Sequence, residues 1–300
     1  RDMRGSLGEG WGRRCCRTSW MRCVDGMETI VMAIARVFPR RTSCTPDDAL
    51  AFVGEPPIDP PPVDEVHISV AFTYDIKRAF DLAGLWVNVA PVTIGGPAFN
   101  LPSSEFTPGL YVKHGITITS KGCPNRCWFC SVWRREPKLI ELSIRDGWIV
   151  HDDNLLACSE KHIRAVFEML ERQPHKAEFR GGIEAARLQQ WHVDLLRDSK
   201  PSAMFFAYDM SDDRDALERA AKMLTPTFTR HQLYAYVLIG YPKDTMEEAV
   251  ERLEFVRSLS ICPFAMLWKD AEGHEDKAWR RLQRSWCRPA MIYAKQQGRF

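Results

Sequence analysis

The sequence feature that most restricts the fold is a regular alternation of strand-like and helix-like segments that begins at Ile116. Six short apolar or alternating runs are typical of strands, and most of them precede a stretch with apolar residues at helical spacing. The clearest helical face consists of Ile163, Val166, Phe167 and Leu170. Strands that alternate with helices favour βαβ units and a parallel sheet. The sequence therefore predicts an α/β fold, whose sheet either opens as a doubly wound sheet or curls toward a barrel.

The six strands are expected at ITITS, WIVHDD, AEFRGG, AMFFAYD, QLYAYVLIGYP and CPFAMLW. The helix after the fifth strand is expected to begin with Asp244 as its N-cap and Glu247 as the acidic residue three positions later. In parallel α/β folds, ligands bind beyond the carboxyl ends of the strands. The first five strands are followed by GCPNRCWFC, HDDN, RGG, YD and GYP. We therefore expect a site where these motifs converge.

Composition divides the chain into five segments. Residues 1–31 are rich in Arg, Gly and Cys without periodicity, which indicates a disordered or non-native extension. Residues 32–65 are interpreted as a lead and linker, because VGEPPIDPPPVDE has too many prolines for a helix or a central strand. A small βαβ unit is expected over 66–115, the repeated strand–helix region over 116–270, and a basic helical tail over 271–300.

Bulk composition excludes several protein classes. With 45% hydrophobic and 27% charged residues among 300, the chain can bury a core and is not disordered in composition. A net charge of +2 indicates no bulk polyanion partner, and no apolar run approaches the ~18 residues of a membrane span. Ten cysteines in a chain of this size need not form disulfide staples. We expect a reducing compartment, the cytoplasm.

Three cysteines, Cys123, Cys127 and Cys130, lie within eight residues of GCPNRCWFC. A disulfide would leave one of them over, and the polar turn between the first two argues against a buried apolar cluster. Structural zinc needs a closed shell of four ligands. The fourth would have to come from His114, His151 or Cys158, none of which has the usual paired spacing. Thiolates also hold iron–sulfur clusters, and three ligands on a four-iron cluster leave one iron open to a substrate.

The C-x3-C-x2-C motif, with Phe129 before its last cysteine and placed after the first strand of a repeated βα unit, resembles the radical S-adenosylmethionine family. The resemblance covers roughly Ile116 to Lys269. It implies a partial (β/α)6 TIM-like barrel with a 4Fe-4S cluster held by Cys123, Cys127 and Cys130. It further implies that S-adenosylmethionine binds the open iron and is cleaved reductively. The resulting 5′-deoxyadenosyl radical would abstract hydrogen from a substrate.

The resemblance also implies a cofactor pocket. Phe129 would pack beside the cluster, and HDDN would replace the family's Gly-Gly-Glu motif, which holds the methionine amine. The candidate residues are Phe129, Asp152, Asp153, Asn154, Arg180, Asp209 and Gly240. Each has a structural alternative: helix capping for Asp152 to Asn154, a surface salt bridge for Arg180, and turns for the last two. The sequence identifies no catalytic residue that acts on the substrate.

The flanking segments suggest two further features. VTIGGPAFN resembles the end of the cobalamin-binding half found in one branch of the family. The region before the barrel is too short for that whole domain, and DEVHIS lacks the D-x-H-x-x-G spacing, so bound cobalamin is not expected. The basic tail carries interleaved Trp residues. It fits a nucleic-acid surface or, as we favour, an amphipathic helix that closes the barrel.

The expected function is that of a radical enzyme whose substrate is a small molecule or a nucleic acid. An electron donor such as flavodoxin or ferredoxin would be its partner. Two other classes remain open at this point. One is a non-catalytic iron–sulfur sensor or regulator, and the other is a zinc-stabilised nucleic-acid-binding module.

Overall fold

The computed structural model describes residues 32–100 and 105–287, Ile292, and the backbone of 22–24 and 27–29. Strands β1 (Arg22–Val24) and β2 (Met27–Thr29) form an antiparallel pair. The rest of the expected extension over 1–31 lies outside the described residues, as do 288–291 and 293–300 of the tail.

The first sheet is parallel and has the strand order β4-β3-β5-β6. Its elements are β3 (Ile34–Phe38), β4 (Ala51–Val53), β5 (Glu65–Ser69), α1 (Ile76–Trp86) and β6 (Val92–Gly95). Helix α1 buries Ala79, Leu82 and Trp86 in the core of this sheet. The indole Nε1 of Trp86 donates to the carbonyl oxygen of Gly54 at 3.0 Å. The loop that contains the proline run is thereby hydrogen-bonded to the helix.

The first sheet is larger than the βαβ unit expected over 66–115. Strands β3 and β4 lie inside 32–65, which the sequence indicated as a lead and linker. The prolines of the run VGEPPIDPPPVDE all lie in the loop between β4 and β5, and β3 (IARVF) has four buried residues, three of which are apolar. The prolines of the neighbouring loop dominated the composition of 32–65, so the sequence analysis missed this strand.

After β6 the chain alternates strands and helices as the sequence predicts. These elements are β7 (Ile116–Thr117), β8 (Ser120–Lys121), α2 (Val132–Arg135), β9 (Ile140–Glu141), β10 (Ile149–Val150), α3 (Glu160–Glu171), β11 (Glu178–Ile183), α4 (Gln190–Ser199), β12 (Ala203–Ala207), α5 (Arg214–Leu224), β13 (Leu233–Ile239), α6 (Met246–Ser258), β14 (Cys262–Leu267) and α7 (Lys277–Trp286). The predicted α/β class with parallel strands is confirmed.

The second sheet has six parallel strands in the order β14-β13-β12-β11-β10-β7. Each strand therefore lies beside the one that precedes it in the sheet. The order does not reverse, whereas a doubly wound sheet reverses at its switch point. Helix α4 packs against both α3 and α5, which places these three crossovers side by side. A separate antiparallel pair, β8 and β9, brackets the cysteine-rich segment.

The two faces of the second sheet differ in chemistry. Along β13 the burial alternates, and Leu233, Ala235, Val237 and Ile239 belong to the main core. On the opposite face, Phe205 stacks on Tyr234 at 4.7 Å and on Tyr236 at 4.8 Å between ring centroids. One face is therefore packed with aliphatic side chains, while the other presents aromatic rings, of which Tyr234 and Tyr236 are half-buried and Phe205 is buried.

Helix α6 begins one residue later than expected. Thr245 is the N-cap, and its side chain and that of Glu248 form a reciprocal capping box. Asp244 instead accepts from the backbone N–H of Gly240 at 2.7 Å and pairs with Arg252 at 2.9 Å. The prediction of Asp244 as the cap was wrong because its carboxylate serves the preceding turn.

Helix α7 supports the interpretation of the tail as an amphipathic helix. Trp286 is buried in the main core, and Trp279 and Leu282 pack against it. The cationic residues Lys277, Arg281 and Arg284 are exposed on the other side. No helix within the described ranges combines the length and apolarity that a membrane crossing requires.

We predict that His192 makes the fold sensitive to mild acid. It is 3% exposed, its Nδ1 accepts from the backbone N–H of Gln189 at 3.0 Å, and burial lowers its pKa to about 4. Because the folded pKa lies below the unfolded value, this stabilisation is present above pH ~6.5 and is lost as the pH falls toward 4. We expect the free energy of unfolding to fall by ~2 kcal/mol through this group between pH 7.5 and 5.

The measurement is urea unfolding of wild type and His192→Asn at both pH values. The asparagine keeps an acceptor for Gln189 but cannot titrate, so the variant should lose less stability at pH 5 than the wild type. His231→Asn, at an exposed histidine, is the control and should behave as wild type. Identical pH dependence in all three proteins would contradict the prediction.

Candidate metal and cofactor site

The cysteine-rich loop begins at a glycine that the backbone requires. Gly122 has φ +85°, and a Cβ there would lie 2.1 Å from the carbonyl oxygen of Lys138. Only glycine fits this position without a backbone shift. The N–H of Gly122 donates to Asp153 Oδ2 at 2.8 Å, which joins the start of the loop to the residues after β10.

The three predicted thiols are close enough to influence one another. All three are half-buried free cysteines. Burial, followed by the neighbouring Cys130 and Cys123 sulfurs, raises the pKa of Cys127. Burial likewise raises the pKa of Cys130, with a further contribution from Cys123. The spacing predicted that the three side chains share one region, and the structure places them there.

The separation of the sulfurs is wider than a closed tetrahedral zinc site requires. In tetrahedral zinc coordination, Zn–S bonds of about 2.3 Å hold sulfurs about 3.8 Å apart. Within the described residues, the only three potential ligands whose atoms all lie within 4.8 Å of one another are Asp270, Glu272 and His274, which are largely exposed. At least one pair of the cysteine sulfurs is therefore wider than 4.8 Å. A four-iron cluster needs wider spacing than zinc, since each thiolate binds a different iron.

Backbone and side-chain hydrogen bonds hold the loop in place. The N–H of Cys130 donates to the carbonyl oxygen of Cys127 at 3.1 Å, and the indole of Trp133 donates to the same oxygen at 3.0 Å. The N–H of Val132 approaches Cys130 Sγ at 3.4 Å. An N–H group directed at a ligating sulfur stabilises negative charge on it and tunes the potential of an iron–sulfur centre.

Asn154 is the HDDN residue that reaches the thiols. It is 4% exposed, and its Nδ2 lies 3.3 Å from Cys123 Sγ and 2.6 Å from Glu184 Oε2. Its Oδ1 is buried and has no hydrogen-bond partner among the described residues. A buried amide oxygen without a donor is unfavourable, and the arrangement suits a ligand that brings one. An amine donor beside Cys123 would fit.

Asp152 and Asp153 have structural partners. Asp152 is buried and accepts from the N–H and hydroxyl of Thr119, both at 2.6 Å, and from the hydroxyl of Ser120 at 2.8 Å. Its carboxylate oxygens are engaged within the sheet, so Asp152 does not face the thiols as an acceptor for a cofactor. Asp153 accepts from Gly122 and lies 3.8 Å from Arg135. Both carboxylates therefore stabilise the backbone just before the cysteine-rich loop.

Asp209 lies within electrostatic reach of Cys127, where it adds to the rise in the pKa of that thiol after burial and the other two sulfurs. Burial raises the pKa of Asp209 itself to about 7, and its Oδ1 accepts from the N–H of Leu238 at 3.1 Å. The structure therefore brings the fourth-strand candidate toward the cysteine loop.

Two other candidates, Arg180 and Gly240, make close contacts with other protein residues. Arg180 pairs with Glu178 at 2.5 Å on the same strand, which is the salt-bridge alternative. Gly240 has φ +73°, and a Cβ there would meet Leu267 and Trp279 at 2.9 and 3.0 Å. Residues of β14 and α7 therefore lie on the Cβ side of Gly240, and contact of its backbone with a ligand stays a prediction.

Aromatic contacts connect the cysteine-rich loop to the turn that follows β13. Phe129 meets Trp128 edge-on at 5.4 Å between centroids, and Trp128 meets Tyr241 at 5.5 Å. Sequence reasoning singled out Phe129 but missed Trp128 and Tyr241. The signal was available, because Tyr241 lies in the GYP motif after the fifth strand.

Glu184 is a further residue that sequence reasoning missed. It follows β11 directly and accepts from both Asn154 and Arg187, the latter at 2.7 Å. The sequence did contain a signal for this residue, since it is a carboxylate immediately after the third strand of a parallel sheet. Glu184 fixes the amide of Asn154 in the orientation that leaves Oδ1 without a donor.

His67, the histidine of DEVHIS, lies between two polar side chains. Its Nδ1 is 2.6 Å from the Tyr111 hydroxyl and its Nε2 is 2.8 Å from Glu65 Oε2. Both of its nitrogens therefore have partners within the protein.

No protein-family model matches this chain, and no curated protein matches it. The interpretation of the site therefore depends on its geometry.

We predict that each of Cys123, Cys127 and Cys130 is needed to hold iron and sulfide. After anaerobic reconstitution, wild type should carry about four irons and four sulfides per chain, and the serine variant of each should lose most of both. Cys287→Ser, at a half-exposed thiol on the end of α7, is the matched control and should retain the wild-type content. Zinc in place of iron in the anaerobically purified wild type would contradict the prediction.

Proposed function

We propose that this chain is a radical S-adenosylmethionine enzyme. The carrying observation is a trio of thiols, spread more widely than zinc requires, beside a buried amide oxygen that has no donor. Cys123, Cys127 and Cys130 would hold a 4Fe-4S cluster, which supplies the electron for reductive cleavage of S-adenosylmethionine. The methionine amine would donate to Asn154 Oδ1.

The fold we propose for the second sheet is a partial (β/α)6 TIM-like barrel. Parallel crossovers are right-handed in nearly all cases, so successive strands added on one side place every helix on the same face. A sheet covered on one face and twisted throughout curls around its bare face. In this chain that face presents Phe205, Tyr234 and Tyr236. It would form the wall against which the nucleoside lies.

The proposed reaction consumes one electron and transfers one hydrogen atom. The cluster would supply an electron to S-adenosylmethionine, and cleavage of the sulfonium C5′–S bond would yield methionine and a 5′-deoxyadenosyl radical. That radical would take a hydrogen atom from a substrate C–H bond, which would yield 5′-deoxyadenosine and a substrate radical. The substrate is a small molecule or a nucleic acid under this proposal. Flavodoxin or ferredoxin would supply the electron in the cytoplasm.

The chain's own residues would bind and orient the co-substrate. Glu184 holds Nδ2 of Asn154 and so aims Oδ1 at the position of the amine. Asp209, whose pKa is about 7, offers a carboxyl group near Cys127 that can accept from or donate to a hydroxyl. Phe129 lies on the same loop and would exclude water from the cluster side of the pocket.

Formation of 5′-deoxyadenosine tests the proposal. The reconstituted wild type with S-adenosylmethionine and dithionite should release 5′-deoxyadenosine, detected by liquid chromatography and mass spectrometry, and Cys123→Ser should not. An intact 4Fe-4S protein that never releases it would favour the sensor or regulator. Zinc without iron would favour the zinc-stabilised nucleic-acid-binding module.

We predict that Asn154→Ala weakens S-adenosylmethionine binding while the cluster is retained. Loss of one buried acceptor for a charged amine costs about 1.5–3 kcal/mol, which corresponds to roughly a tenfold to hundredfold rise in Kd. The measurement is equilibrium binding to the unreduced, reconstituted protein. Asn88→Ala, on an exposed turn, should bind as wild type. Unchanged affinity in Asn154→Ala would exclude this role of Asn154.

A further inference from the structure

A cavity of about 800 Å³ lies between the two sheets. The carboxyl ends of β3, β5 and β6 form one side, and residues of β8 and of the segment after β10 form the other. Cavities of a few hundred to a thousand Å³ are typical of sites for cofactors and small molecules. The carboxyl ends of parallel strands are the usual place for them.

The cavity walls are largely apolar and aromatic. Its main apolar side chains are Phe38, Ile68, Phe72, Phe106, Tyr111 and Ile118. Phe72 and Tyr111 remain 39% and 36% exposed although each lines this concave space. Covering such rings with another ring is favourable through both burial and stacking.

The charged groups of the cavity cancel one another. Three cationic and three acidic residues line it: Arg40, Lys121, Arg135, Asp75, Glu105 and Asp153. Arg40 binds Asp75 through two hydrogen bonds of 2.5 and 2.6 Å, and Arg135 lies 3.8 Å from Asp153. His151 is neutral at pH 7, because burial and the nearby Arg180 lower its pKa to about 4. A ligand with a net charge would find no excess of the opposite sign.

Gly95 leaves open space in the cavity wall. No atom lies within 4 Å of the position that a Cβ on Gly95 would take. Its neighbour Gly96 is different, since φ +114° and the backbone of Val70 at 2.6 Å exclude any side chain there. Gly95 pairs with Ser69, and both line the cavity. The missing side chain lets a ring lie directly on the strand backbone.

The cavity adjoins the cysteine loop. Lys121 lines it and is followed directly by Gly122 and Cys123. Asp153 also lines it and accepts from the N–H of Gly122 at 2.8 Å. On the same side, Cys44 Sγ lies 3.9 Å from His151 Nε2 and supplies a polar pair.

We propose that this cavity binds an uncharged, ring-bearing organic molecule, held by the aromatic walls and the open backbone at Gly95. If the proposed function is correct, that molecule is the one from which hydrogen is abstracted.

The test uses two fluorescent probes that share one ring system. N-phenyl-1-naphthylamine is uncharged, and 8-anilinonaphthalene-1-sulfonate adds a sulfonate to the same rings. Fluorescence titration of the full chain, without S-adenosylmethionine or reductant, should show saturable binding of one N-phenyl-1-naphthylamine and weaker binding of the sulfonate. Because no radical chemistry is involved, failure of the proposed function would leave this result unchanged.

The variant Gly95→Leu fills the cavity wall and should weaken N-phenyl-1-naphthylamine roughly tenfold or more. Gly84→Leu is the matched control, since Gly84 also has nothing within 4 Å but lies on the exposed side of α1. Thr93→Phe, at an exposed cavity residue of the same strand, gives a second obstruction should Gly95→Leu fail to fold.

Three results would overturn the inference. Absence of saturable naphthylamine binding would mean that the cavity takes no uncharged ring. Tighter binding of the sulfonate would mean that the ligand is an anion. Equal affinity in Gly84→Leu, Gly95→Leu and Thr93→Phe would place the probe elsewhere on the protein.

Discussion

The site depends on the way the ends of β7, β10 and β11 are fastened together by a buried carboxylate. Asp152 accepts three hydrogen bonds from Thr119 and Ser120, which offsets the cost of its burial and fixes the chain just before the cysteine loop. On its other side the backbone of Asp152 lies against Gly181, where a Cβ would come within 2.1 Å of the Asp152 carbonyl oxygen. A glycine in β11 is therefore needed for the three strand ends to meet.

Once those strand ends meet, the neighbouring residues take their functional positions. Asp153 receives the N–H of Gly122 and sets the direction in which the loop leaves the sheet. Asn154 is brought to Cys123, and Glu184 at the end of β11 orients its amide. Three consecutive residues after β10 thus have three different roles: one holds the sheet, one holds the loop, and one faces the thiols. A backbone shift at Asp152 would move all three.

Much of the scaffold could be predicted from the sequence, because local patterns determine it. Alternating and apolar runs identified the strands of the second sheet, and their alternation with amphipathic helices indicated parallel order. Strand β3 was missed since the proline-rich loop beside it dominated the composition of 32–65. The cap of α6 was misplaced by one residue because Arg252, eight residues later, pairs with Asp244.

The site could be predicted only in part, because side-chain direction depends on distant contacts. The cysteine spacing indicated three neighbouring thiols, and HDDN indicated polar groups near them. Which of Asp152, Asp153 and Asn154 reaches the thiols depends on Thr119 and Ser120, more than thirty residues earlier. Gly240 has the positive φ of a turn, and Trp279 from the distant helix α7 lies beside it, a contact that the local sequence does not indicate. The cavity between the sheets could not be predicted, since residues of both sheets form its walls.

We propose that three thiols leave one iron of a four-iron cluster open to S-adenosylmethionine. Mössbauer spectroscopy tests this proposal, with the protein reconstituted with the 57Fe isotope and spectra recorded before and after addition of S-adenosylmethionine. One iron in four is expected to change its isomer shift and quadrupole splitting, while the other three do not. Four irons that remain equivalent and unchanged would show that no coordination position is open and would contradict the proposal.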